Sequence, residues 1–390
     1  MADSSRARSA AALFAGGAVS AMGYTMMVAV IPLTAEDLLG SPRWSGAPSA
    51  LATTGVAVGT VWLSRLIVRH GRRLALAWGY LAAGAMALVA AVAAAYGLFA
   101  LLAAAIFCVG GGYSASRLSR YAAADLYEPA RRSAAIGWNI WAATAGAVAG
   151  PLFLSATERA SSRLGLAPIA GPFLVAAIAF GISGLALFVA YAPARPLHGP
   201  PAPVAPPDHT AAPTALRLAV ASLVIGQVVM VLIMTMTPIH IRHGGHGLDS
   251  IGVVFASHTF GMFAFSPVAG VLSDRLGRVP MILAASAVLV AAGLLAATSD
   301  TGSPVLAVAL FLLGLGWCFS FVAASALLTE SAPLARLVRI QGIADSLVWG
   351  SAAVAGLSSG LLLFAVGYPA LSYTGAALAV VPVFFVRRAR

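Results

Sequence analysis

The chain predicts an all-α membrane protein: twelve transmembrane helices in two pseudo-symmetric six-helix lobes. Three observations carry that expectation. Of 390 residues, 60% are hydrophobic and 9% charged, where a soluble domain carries about 25% charged residues. The apolar residues fall into roughly a dozen runs, each near the ~20 residues needed to cross a bilayer. The two halves of the chain also repeat one another at a shift of about 205 residues.

The first span is expected at about 11–33, after a short segment carrying Arg6 and Arg8. The run is too long for a signal peptide and reaches Ile31-Pro32 without a cleavage site, so the N-terminus is expected inside. Spans two and three, about 47–67 and 74–96, flank Arg69-His70-Gly71-Arg72-Arg73. Span four, about 98–121, has Arg117 and Arg120 in its inner part. These arginines either snorkel to the interface or face a cavity. Span five, about 134–156, carries Asn139 between Trp138 and Trp141, and span six covers about 171–193. The Pro/Ala-rich stretch 194–214 has no apolar face and reads as a linker. It divides an N-terminal lobe, 1–193, from a C-terminal lobe, 215–390. The second set of spans follows at about 215–238, 250–272, 280–298, 305–328, 341–363 and 369–386.

The repeat sets Pro32, ending span one, against Pro238, ending span seven. Asp125, Arg131 and Gly137 likewise meet Glu330, Arg336 and Gly342. All 23 basic residues are arginine, and the net charge is +11. The arginines gather at one set of helix ends, which is the positive-inside pattern and puts both termini in the cytoplasm. They sit on no soluble domain that could hold nucleic acid. Cys108 and Cys318 lie in separate apolar runs, so no disulfide framework is indicated. There is no phosphate-binding Gly-rich loop, nucleophile motif or carboxylate cluster, so an enzyme is not expected. No cofactor is expected either.

Residues Gly270-Val-Leu-Ser-Asp274-Arg275-Leu-Gly277-Arg278 resemble the G-x-x-x-D-R-x-G-R loop of the major facilitator superfamily. The resemblance implies an alternating-access carrier in a bacterial inner membrane, monomeric, with this loop as a gate. In that reading a charged contact of Asp274 and Arg275 breaks as the lobes rock. The first-half copy is degraded, with Ser64 for the first glycine and Val68 for the aspartate. Gly146-Ala-Val-Ala-Gly150-Pro151 resembles the G-x-x-x-G-P motif of the superfamily's antiporters, and small-residue helix packing is its alternative.

Span seven holds Met230 and Met234, and span eight holds His258 and Met262. Each pair lies on one helix face. On antiparallel neighbours, at ~12 Å below the outer ends, these groups form a ladder for a soft ion such as Cu(I). The pattern resembles the CcoA-like copper-importer branch of the superfamily, which also includes relatives that look like riboflavin importers. Copper is then the substrate, and a small organic solute the alternative. Methionine is also an ordinary filler of apolar helices. Met22, Met26, Met27 and Met236 are further thioethers, and His240, His243 and His246 lie in the outer loop. Asp345 in span eleven is a candidate for proton coupling, on the argument that burial perturbs a carboxylate. Gln227, Asn139 and Arg117 are candidates for lining the cavity.

Overall fold

The computed structural model describes residues 2–127, 132–192, 213–333 and 337–387. The side chains of 2–4, 124, 132–134, 136–137, 337–339 and 387 are not described. Arg131, Arg336 and the linker up to residue 212 lie outside the described residues, as do the side chains of Gly137 and Arg339.

In hydrocarbon every backbone N–H and C=O needs an internal partner, which favours helices throughout. The helices are α1 Ala2–Leu39, α2 Ala47–Ala95, α3 Phe99–Asp125, α4 Arg132–Ala149, α5 Leu154–Arg163 and α6 Gly171–Ala190. They continue as α7 Pro213–His243, α8 Leu248–Phe263, α9 Ser266–Leu276, α10 Arg278–Thr298, α11 Pro304–Ser331, α12 Leu337–Leu378 and α13 Val381–Arg387. Among the described residues, nine helical stretches are long and apolar enough to cross a membrane, and α8 with α9 passes as a pair bent by 40°. Two of the nine, of 54 and 47 residues, are each long enough for two crossings at ~20 residues apiece. They break inside α2 at Gly71 (φ 81°) and inside α12 at Gly367 (φ 77°). That backbone region is open to glycine and strained for other residues. Twelve spans result.

Two expectations are corrected. Pro32 and Pro238 do not end their helices but lie inside α1 and α7. Hydroxyls one residue or two away bond the backbone there: Thr34 donates to the Val30 carbonyl and Thr237 to that of Ile233, both at 2.9 Å. The second correction concerns neighbours. α8 packs along α11, while α7 packs along α12 and α11; α7 and α8 meet only sparsely. Sequence adjacency does not make two helices packing partners.

The chain forms two compact units, Met1–Ser41 with Ala47–Pro201, and Pro42–Gly46 with Ala202–Arg390. In the first, α2 packs tightly on α3, and α1 on α4 and α6. In the second, α11 is central, touching α7, α8, α9 and α10. Its core includes Leu218, Met281, Cys318, Leu327 and Val348.

Candidate functional site

Three contacts orient α11 against its neighbours in the second unit. Ser320 faces α7, donating to the Ser222 carbonyl at 3.0 Å. Gly314 faces α8: a Cβ there would lie 2.2 Å from the His258 carbonyl oxygen. Gly316 faces α10, against Leu289. At about 100° per residue, Trp317 falls midway between the α7-facing and α8-facing positions, with Phe321 beside it. These rings therefore look out between α7 and α8, the two helices that scarcely touch.

Trp317 and Phe321 stack at 4.9 Å, and Phe263 of α8 meets Trp317 edge-on at 6.2 Å. Farther along the α8 side, Phe260, Phe265 and Phe311 form a second set of edge and stacked contacts at 5.7–6.3 Å. The indole N–H of Trp317 donates to Gln227 Oε1 at 2.8 Å. Trp317 is thirteen residues into α11, about 20 Å from its start, so the pair sits near mid-membrane. Carrier sites are built at that depth. Trp317 escaped the sequence reading because its partner is ninety residues away. The available trace was the repeat itself, which sets Trp317 against a glycine.

Met230 and Met234 fall three and seven residues after Gln227, on the same face of α7. Met230 is half-buried and Met234 is buried. On α8, His258 is 3% exposed and turns toward α11, its Nδ1 lying 2.9 Å from the Leu310 carbonyl. A carbonyl can only accept, so Nδ1 carries the proton in this bond. Nε2 is buried without a partner. Met262 is half-buried, its backbone close against Gly314. Met230 and Met234 lie on α7, His258 and Met262 lie on α8, and the His258 ring is bonded to α11. Met230 and His258 lie about 20 Å and 15 Å from the outer ends of their helices, deeper than expected because α7 and α8 each reach farther at the outer end than the spans read from sequence. Among the described residues, no group of three or more His, Cys, Asp or Glu is placed to hold a metal ion.

The other candidates are distributed as follows. Asn139 does not line a cavity; it is buried, donates to the Leu13 carbonyl at 3.4 Å and accepts from Ser119 at 3.2 Å, tying α4 to α1 and α3. Arg117 is half-buried on α3, one turn beyond Tyr113, which stacks on Tyr24 at 3.7 Å. Arg120 rests over the Tyr121 ring at 4.9 Å. Asp345 is exposed on α12, so the burial argument for a coupling role fails. Met26, Met27 and Met236 are fully buried packing residues. His240 stacks on Tyr368 at 4.0 Å and His246 covers Gly302. Gly146 and Gly150 let α4 approach α1: a Cβ would lie 1.8 Å from the Ala18 carbonyl oxygen and 2.4 Å from that of Met22. Close helix packing accounts for that motif.

At the Gly270–Arg278 loop, Gly277 takes φ 94° and ends α9. Asp274 pairs with Arg278, at 2.5 Å, and not with Arg275. Adjacent residues on a helix point about 100° apart, whereas residues four apart share a face. Arg278 also reaches Glu330 at 2.7 Å and Ser273 at 3.1 Å. The first unit keeps a simpler version, with Arg72 on Asp125 at 2.8 Å.

The sequence profile of the Major Facilitator Superfamily matches residues 13–250 and again 218–390. The chain is similar to the uncharacterized MFS-type transporter YdeG of Bacillus subtilis, 36% identical over 96% of this chain and 90% of that protein. It is 29% identical to the riboflavin transporter RfnT of Brucella anthropi, over 91% and 89% of the two chains. A bacterial homologue of the iron transporter ferroportin shares the fold at TM-score 0.74 and 16% identity, over 98% of each chain. The xylose transporter XylE from E. coli does so at 0.70 and 12%, over 99% and 98%. The chain belongs to the major facilitator superfamily and is a multi-pass secondary transporter, not an enzyme.

Proposed function

We propose that the chain carries a small organic solute with a flat ring system across a bacterial cytoplasmic membrane by alternating access, as a riboflavin-type importer does. The observation behind this reading is the mid-membrane stack of Trp317 and Phe321, with Phe263 at its edge. Offset and edge contacts favour a flat aromatic guest beyond simple burial. The likeness to the riboflavin transporter of Brucella anthropi points the same way. Arginine bias supports cytoplasmic termini. The test is riboflavin uptake into proteoliposomes by the wild type and by Trp317→Leu. Uptake above empty liposomes that falls at least about tenfold in the variant, ~1.4 kcal/mol of lost stacking, supports the reading. Wild-type protein that moves no riboflavin sinks it.

Copper is the second reading, and one observation favours it. A backbone carbonyl holds Nδ1–H of His258 and leaves Nε2 bare, as metal-ligating histidines are commonly held. Met262 follows one turn later. Copper accumulation by cells carrying the wild type, lost when Met230, Met234, His258 and Met262 are all changed to alanine at matched expression, would establish it.

A further inference from the structure

We infer that Gln227 reads the edge of the transported ring and selects solutes that present a carbonyl or other hydrogen-bond acceptor there. The inference rests on the flat-solute reading above and narrows it to a class. Indole N–H is a donor only, so the amide atom facing Trp317 must be the oxygen. That bond fixes the amide plane. It commits Oε1 and leaves both Nε2 hydrogens without a partner among the described residues. Gln227 is 4% exposed as a residue, and its Nε2 is not among the buried atoms that lack a partner, so this donor stays open to a guest.

The location gives this donor a purpose. It sits beside the indole face that would stack the guest, at the centre of α7 and α11. It is also on the α7 stripe that leads to Met230 and Met234, which offer apolar contact and no competing acceptor of strength. A ring whose edge carries only N–H donors would meet the amide hydrogens head-on. The pair thus divides the labour: Trp317 recognises flatness, and Gln227 recognises the polarity of the rim.

Two three-ring probes separate these roles. Riboflavin carries carbonyl acceptors on its rim; proflavine carries amino donors and no carbonyl. Binding of each to purified protein is read by fluorescence, with thermal unfolding as the folding control. Gln227→Met is expected to weaken riboflavin about tenfold and to leave proflavine within about twofold. Gln227→Glu keeps an acceptor for Trp317 but replaces the donor with an oxygen, and is expected to reverse the preference. Trp317→Leu is expected to weaken both probes. Equal loss of both probes in Gln227→Met would mean that Gln227 only holds Trp317 in place, and would overturn the inference. So would no change in either. If the wild type binds neither probe, the flat-solute reading falls first and this inference with it; a wild type that binds both, with preference unmoved in Gln227→Glu, removes the inference alone.

Discussion

The two halves of the molecule solve the same packing problem in opposite ways. Registering Gly71 on Gly277 shifts the halves by 206 residues and aligns α3 with α11, and the first half of α2 with α8 and α9. In the first unit that helix pair is closed by glycine: a Cβ on Gly55 would lie 2.0 Å from the Phe107 carbonyl oxygen, and one on Gly59 would lie 2.2 Å from that of Gly111. In the second unit Gly55 corresponds to Gly261, which keeps the close approach at 2.3 Å from the Phe311 carbonyl oxygen. Below it the positions diverge. Gly59 becomes Phe265, Gly111 becomes Trp317, and Ala115 becomes Phe321. One copy of the duplicated pair is a zipped scaffold; the other stays zipped at one level and carries bulky rings at the next. The two copies differ here in side-chain size while keeping the same helix plan.

This comparison can be broken by making the halves alike. The largest expected effect is Gly59→Leu, which drives a side chain into the Gly111 backbone and should lower stability by about 3 kcal/mol or more, read as thermal unfolding in detergent. Gly111→Ala is the internal control and should be nearly neutral, because its Cβ would meet only ordinary contacts at 3.5 and 3.9 Å. Next comes Trp317→Gly, the reverse exchange. It should leave the protein folded yet lower riboflavin uptake at least about tenfold, ~1.4 kcal/mol. Gly71→Ala and Gly277→Ala should each cost about 1–3 kcal/mol, and by similar amounts, since both need the same glycine-only conformation. A marked inequality would show that the two loops are not equivalent. The smallest effect belongs to the helix-end ion pairs. Arg72→Ala should cost about 0–1 kcal/mol, as exposed pairs do. Arg278→Ala should cost more, because Arg278 reaches two carboxylates and a serine where Arg72 has one aspartate.

The repeat, the spans and the arginine-glycine loops were legible in the sequence because they are local: hydropathy sets a span, and a left-handed glycine with a following arginine marks a loop. Packing partners were not legible. Met230 and His258 read as neighbours because a short loop joins their helices, but α8 follows α11, to which it presents Gly261 and His258. Asp274 was readable as half of an ion pair, while Glu330 as the second acid on Arg278 required the fold to bring α11 to the loop. The most informative trace lies in the repeat itself. Aligning the halves residue by residue shows where glycine on one copy is tryptophan on the other, and such an exchange is more telling than any motif within one copy.

Cys318 follows Trp317 directly on α11, buried with its thiol 3.5 Å from the Ser266 hydroxyl, whereas Cys108 is exposed. No other cysteine exists in the sequence. Replacing Cys108 with serine therefore yields a protein with a single reactive probe, already installed at the join of α9 and α11. Maleimide labelling of Cys318 should be slow at rest and quicken whenever those helices part. The natural sequence thus supplies its own reporter of conformational opening, usable before any solute is known.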